Sequence, residues 1–133
     1  ERASRMFDSV VIAVLNHPTK KSFLTVEERI NLIKEAVKDI KNVSVDSFNG
    51  LTVEYAKKHH ATHMIRGLRA VTDFEYEFQL ASANDIADTD IDTVFLMSKV
   101  EKSIINSSMI MQLHDRGIDV KGLVPESVLK RLK

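Results

Sequence analysis

The sequence contains no cysteine and no tryptophan, two prolines and only four glycines in 133 residues. Without cysteine there is no disulfide, no thiolate metal ligand and no cysteine nucleophile. With glycine confined to positions 50, 67, 117 and 122, neither G-x-G-x-x-G nor a Walker A loop can be written on the chain. Phosphate binding would therefore rest on arginines and helix ends. An excess of one charge is also missing, because nineteen Lys plus Arg balance nineteen Asp plus Glu. That balance gives no overall attraction to nucleic acid or to an anionic membrane, so neither is expected as a partner, and any anion site must come from local clustering. No apolar run approaches the roughly 20 residues that span a bilayer. No secretory signal is read at the start, and with the absence of cysteine this leads us to expect a cytoplasmic protein.

Hydrophobic residues make up 44% of the chain and charged residues 29%, the composition of an ordinary globular domain. At this length a single domain with a real core is expected over residues 1–133. Ser9–Leu15 is a continuous, β-branched apolar run that suits a strand covered on both faces, and it ends in the polar loop from Asn16 to Lys21. Thr25 and Glu28 fit a capping box, with Ile30, Ile33, Val37 and Ile40 following at helical spacing, so a helix is expected from Thr25 to about Ile40. Val43–Phe48 alternates as a second strand, with Asn49-Gly50 as its turn. A shorter helix from Leu51 to about His59 would carry Leu51, Val53, Tyr55 and Ala56 inward, and Thr62–Ile65 would be a third strand.

Thr72 with Glu75 is the expected cap of a helix to about Ala87, whose Phe74, Phe78, Leu80 and Ala81 supply apolar surface and which Asp88-Thr89-Asp90 closes. Thr93–Met97 reads as a fourth strand. Ser107-Ser108 opens a helix to about Leu113 that Gly117 stops, and Pro125 precedes a last helix to about Leu132. Strands alternating with helices, and strand runs that are hydrophobic throughout, predict an α/β fold: a doubly wound, Rossmann-like parallel sheet with right-handed crossovers.

The stretch with most chemical content is Met64-Ile65-Arg66-Gly67-Leu68-Arg69-Ala70, followed by Asp73-Phe74-Glu75-Tyr76-Glu77. It reads as a buried strand breaking into a glycine-containing loop with two arginines, then a helix with an acidic first turn. In open α/β sheets ligands sit beyond the carboxyl ends of the strands, so this is a candidate anion site; solvated arginines on an ordinary turn would use the same residues. Three loops are expected at one sheet edge: Asn16–Lys21, Arg66–Ala70 and Ser98–Ser108. Together they offer Lys20, Arg66 and Arg69 as cations and Ser107 and Ser108 as hydroxyls at a helix start, a set suited to a polyphosphate. His59 and His63 are four residues apart, but a helix ending near His59 and a strand beginning near Thr62 remove the helical spacing that a zinc pair would need. Glu75 and Glu77 are in the first instance helix charges that complement the dipole.

The run Ile65–Ala70 with Asp73–Glu77 closely resembles the signature of bacterial phosphopantetheine adenylyltransferases, and the similarity extends over essentially the whole chain. The resemblance implies a Rossmann-type domain of five parallel strands that moves the adenylyl group of ATP to 4′-phosphopantetheine, giving dephospho-coenzyme A and pyrophosphate, with Mg²⁺ accompanying the nucleotide. It also implies a homohexamer inhibited by coenzyme A. Residue by residue, it implies that Lys20 and Arg66 hold the acceptor phosphate and that Thr52 lies against the pantetheine arm. Gly67, Leu68 and Arg69 would line the ATP site, with Lys20 and Arg69 as the catalytic cations. Glu77 would contact the nucleotide, and Lys102, Ser103, Ile104, Ile105, Asn106, Ser107 and Ser108 would form the loop that closes on the triphosphate.

Two departures bear on these roles. The family's loop carries an aromatic residue and three serines where Lys102 and Ile104–Ser108 stand here, and Met111 replaces a basic residue in the helix that follows. The family's H-x-G-H motif, whose last histidine stabilises the transition state, cannot be written on this sequence. The chain begins at Glu1, with Arg2–Phe7 resembling the tail of a helix, so the expectation is a polypeptide with a preceding strand and catalytic loop. Deleting a central strand would leave neighbouring backbone groups unpaired at about 1–3 kcal/mol each. Two other readings stay open: a nucleotidyltransferase using another phosphorylated acceptor, such as nicotinate mononucleotide or glycerol 3-phosphate, and a non-catalytic domain that binds a nucleotide or coenzyme A.

Overall fold

The computed structural model describes residues 1–16, 22–87 and 90–132. After a 3₁₀ turn at Ala3–Arg5, the elements are β1 (Val10–Leu15), α1 (Val26–Val37), β2 (Val43–Phe48), α2 (Thr52–Lys58), β3 (His63–Leu68), α3 (Val71–Ala87), β4 (Asp92–Met97), α4 (Val100–Ser103), α5 (Ser107–Asp115) and α6 (Glu126–Leu132). Strands and helices alternate, and every strand pairing among the described residues is parallel, as in Rossmann-like α/β proteins. Among the described residues the strands form two pairs, β1 with β2 and β3 with β4. The chain divides into two compact units, one of Glu1–Asn49 with Ser107–Lys133 and the other of Gly50–Asn106. No helix among the described residues is long and apolar enough to cross a membrane.

In the first unit, β1 and β2 run in register from Val10 opposite Val43 to Leu15 opposite Phe48. Val11 and Ala13 are exposed while Val14 is buried, so β1 alternates between faces and is not covered on both, contrary to its continuous apolar run. The capping box of α1 is present in both directions: Thr25 Oγ1 accepts from the Glu28 N–H at 3.1 Å, and Glu28 Oε2 accepts from the Thr25 N–H at 2.9 Å. Helix α6 is fastened to α1 by Ser127 Oγ, which donates to the Leu32 carbonyl, and by Arg131, whose Nη2 lies 2.7 Å from Glu28 Oε1. The Glu28 carboxyl is held below its ordinary range, chiefly by that Arg131 bond and then by the Thr25 N–H. Arg2–Phe7 belongs to this unit, where the Asn42 side-chain amide donates to the carbonyls of Ser4 and Phe7. Gly117 ends α5 at φ 73°, the left-handed conformation that a C-terminal stop requires.

The second unit has its core where α2 meets β3: Val53 and Ala56 pack with Met64 and Ile91. Leu51, expected inward, is 60% exposed, because α2 begins at Thr52 and Leu51 only precedes its first turn. Helix α2 ends at Lys58 and β3 begins at His63, so His59 and His63 do not share a helix face.

Candidate functional site

Strand β3 is longer than its apolar run. Arg66, Gly67 and Leu68 are ladder residues opposite Phe95, Leu96 and Met97 of β4, so Arg66 and Gly67 lie in the strand and not in a loop. The cause is the pairing with β4, about thirty residues on, which no local pattern contains. The Ser98 N–H donates to the Leu68 carbonyl at 2.7 Å, bringing the ends of β3 and β4 together as expected of their two loops.

Side chains alternate along a strand, so Arg66 shares a face with Met64 and Leu68, both buried. A cation placed on a core-facing row needs a partner. That partner is Glu77 of α3. Arg66 Nε donates to Glu77 Oε2 at 2.5 Å and Nη2 donates to Oε1 at 2.8 Å, a bidentate fork in which the Glu77 side chain is only 14% exposed and that of Arg66 42%. The hydrogen bonds from Arg66 to Glu77 raise the guanidinium pKa above its ordinary value, against an opposing contribution from burial.

One helical turn earlier, Asp73 does the same for the second arginine. Its Oδ2 accepts from Arg69 Nε at 3.0 Å and from the Arg69 backbone N–H at 3.1 Å, and the Arg69 side chain holds the Asp73 carboxyl below its ordinary range. Asp73 and Glu77 are separated by four residues and so project from one face of α3. The Arg69 Nη1 also approaches the Ile105 carbonyl, at 3.5 Å, which brings the backbone of the segment after α4 to this arginine. Helix α3 begins at Val71, so Thr72 lies inside its first turn and does not cap it; the carboxylate that ties down the chain at this entry is Asp73. Phe74, Phe78 and Leu80 of α3 are exposed, although Phe74 meets Phe95 of β4 edge-on with centroids 5.7 Å apart.

The structure thus brings together Arg66, Arg69, Glu77 and Ile105 of the expected site, with Gly67 and Leu68 in the strand between the arginines. Gly67 has no positive φ, and a Cβ built on it would meet nothing within 4 Å, so neither strain nor crowding demands glycine there; its bare backbone faces open space. Leu68, the last residue of β3, is buried. Lys102 and Ser103 lie in α4, a short helix within the stretch expected to be loop, and Ser103 Oγ donates to the Val100 carbonyl. Ile104 and Asn106 are exposed. Thr52 is the half-buried first residue of α2, and Ser107 and Ser108 open α5 in the other unit. Lys20, with the loop from His17 to Lys21, lies outside the described residues, as do Asp88 and Thr89. The residue that sequence reasoning left without a role is Asp73. Its signal is the four-residue spacing from Arg69 and to Glu77.

Two guanidiniums held at the carboxyl end of a parallel strand, ahead of a helix, stand where open α/β sheets place their ligands. The family model for cytidylyltransferase-like domains matches residues 1–113, and the chain belongs to that family. Its chemistry is accordingly nucleotidyl transfer.

Proposed function

We infer that the protein transfers the adenylyl group of ATP to 4′-phosphopantetheine, giving dephospho-coenzyme A and pyrophosphate. The observation that carries this reading is the pair of arginines, each fastened by its own carboxylate of α3, within the stretch that resembles the phosphopantetheine adenylyltransferases. Arg66, with Lys20, binds the acceptor phosphate, and Thr52 lies along the pantetheine arm. Gly67, Leu68 and Arg69 take the ATP side, where the open backbone at Gly67 admits a ligand close to the strand and the Arg69 contact to Ile105 links it to the Lys102–Ser108 segment.

In this mechanism an ionised oxygen of the acceptor phosphate attacks the α-phosphorus in line. One P–O bond forms, the bond between the α-phosphorus and the bridging oxygen breaks, and pyrophosphate leaves. No covalent enzyme intermediate is needed, because the nucleophile is already an anion. Positioning and charge stabilisation by Lys20 and Arg69 do the work. Magnesium holds several waters and binds largely through substrate phosphates, so the ion would arrive on the nucleotide. A homohexamer, expected from the resemblance, would cover apolar side chains of α3 that the single chain exposes, such as Val71 and Ile86.

The test is pyrophosphate release from ATP with 4′-phosphopantetheine, nicotinate mononucleotide or glycerol 3-phosphate offered in turn. Release with the first alone is the expected result. Release with another acceptor instead would reassign the substrate. Binding without release from any of the three would leave a nucleotide- or coenzyme-A-binding domain.

A further inference from the structure

The fork between Arg66 and Glu77 has a chemistry that the substrate assignment does not use. A guanidinium carries five N–H groups. Glu77 takes one from Nε and one from Nη2. Among the described residues three remain, two on Nη1 and one on Nη2, which is enough for a bidentate grip on a second anion. We propose that Glu77 is a positioning residue for Arg66: by holding the Nε edge of the guanidinium it presents the Nη1 edge to the acceptor phosphate, so Glu77 serves the acceptor site through Arg66.

Three features favour positioning over a direct ligand contact by Glu77. Both carboxylate oxygens are engaged by the one guanidinium. The Glu77 side chain is largely buried, while the Arg66 side chain keeps a substantial exposed part. A carboxylate brought up to a phosphate would also meet like charge, whereas a carboxylate behind an arginine neutralises the cost of burying it and fixes its rotamer. The parallel pair of Asp73 with Arg69 differs in the way this account requires. It is more open, its second fork contact is longer at 3.4 Å, and Asp73 is also engaged with backbone, so it ties down the chain as well as the side chain.

This proposal rests on Arg66 being an anion donor, and two readouts on the full chain separate its failure from failure of the substrate reading. The first is thermal stabilisation by inorganic phosphate, measured against chloride at matched ionic strength, for the wild type, R66A, E77Q and the R66A/E77Q double variant. The second is initial-rate kinetics with ATP and 4′-phosphopantetheine. Glu77→Gln keeps the shape but sets an amide N–H₂ against an arginine N–H. It is expected to remove most of the phosphate stabilisation, to raise the KM for the acceptor by about tenfold and to leave the KM for ATP within about twofold. In the R66A background the same change is expected to add nothing. Glu77→Asp, which keeps the charge on a shorter arm, should restore part of the loss. It also serves as the variant to score if E77Q does not fold.

Unchanged phosphate stabilisation in E77Q or in R66A overturns the proposal. So does a raised KM for ATP with the acceptor unaffected, which would make Glu77 a nucleotide contact, and so does full additivity with R66A. A wild type that phosphate stabilises through Arg66 and Glu77, yet that does not turn over 4′-phosphopantetheine, would retain the positioning role and discard the substrate.

Discussion

Arg131 and Arg66 each close on a glutamate, one in each unit of the molecule, and the two pairs use their atoms differently. Arg131 sends both Nε and Nη2 to a single oxygen of Glu28, whose other oxygen caps α1 through the Thr25 N–H. Arg66 sends Nε and Nη2 to separate oxygens of Glu77, and that carboxylate is given over to the one guanidinium. The first carboxylate is divided between a helix cap and a tie to α6. The second is dedicated to one cation. Burial follows the same division, the Glu77 side chain being 14% exposed and that of Glu28 34%. Each arginine spends the same two nitrogens, so the difference lies in the carboxylate: Glu28 is shared with a helix cap, whereas Glu77 holds one guanidinium by both oxygens.

The comparison can be broken at several points. The largest effect is expected at Leu68, buried at the end of β3 between the two arginines: Leu68→Ala should destabilise the protein by about 2–5 kcal/mol in chemical denaturation. Next is Arg66→Ala, which on the proposed function removes charge-assisted bonds to the acceptor and should weaken 4′-phosphopantetheine binding by about 1.5–3 kcal/mol by calorimetry, with ATP little changed. Equal weakening of both ligands would contradict the role. Thr25→Ala breaks the capping box and should cost about 1 kcal/mol of stability with turnover unaffected, since its partners are structural.

Smaller still, Gly67→Ala should leave the melting temperature unchanged, because the added Cβ meets nothing, while raising the KM for ATP a few-fold if the nucleotide approaches that backbone. The smallest effect is the pH and salt response of the exposed pair. Glu28 is depressed below its ordinary 4.5, so its contribution is complete above that value and is lost as pH falls towards the lower folded-state value. Arg131→Ala should therefore flatten part of the stability loss as pH falls below 4.5, in urea midpoints that also become less sensitive to salt.

How far these features can be read from the sequence depends on the distance over which their causes act. The capping box of Thr25 and Glu28, the alternation of Val43–Phe48 and the stop at Gly117 depend on neighbours within a few residues, and each is found where the sequence puts it. Local pattern puts Arg66 and Gly67 in a loop, because the strand that extends to them is decided by β4, a non-local partner. The outward side chains of Phe74, Phe78 and Leu80 have the same origin: an apolar helix announces that surface must be covered but not by what. The site was legible in its residue types, two arginines followed by acidic residues, and not in its pairing. That Glu77 belongs to Arg66 and Asp73 to Arg69 depends on the angle at which α3 returns along β3, which spacing alone does not fix.

The most direct test of the account is the reverse reaction: ATP formed from dephospho-coenzyme A and pyrophosphate by the wild-type chain and by R66A. The account predicts ATP from the wild type, and from R66A a rate lowered by roughly tenfold or more at subsaturating dephospho-coenzyme A, largely recovered when that substrate is raised. A folded wild type that binds dephospho-coenzyme A and forms no ATP, or an R66A protein indistinguishable from it, would contradict the claim that these arginines serve adenylyl transfer.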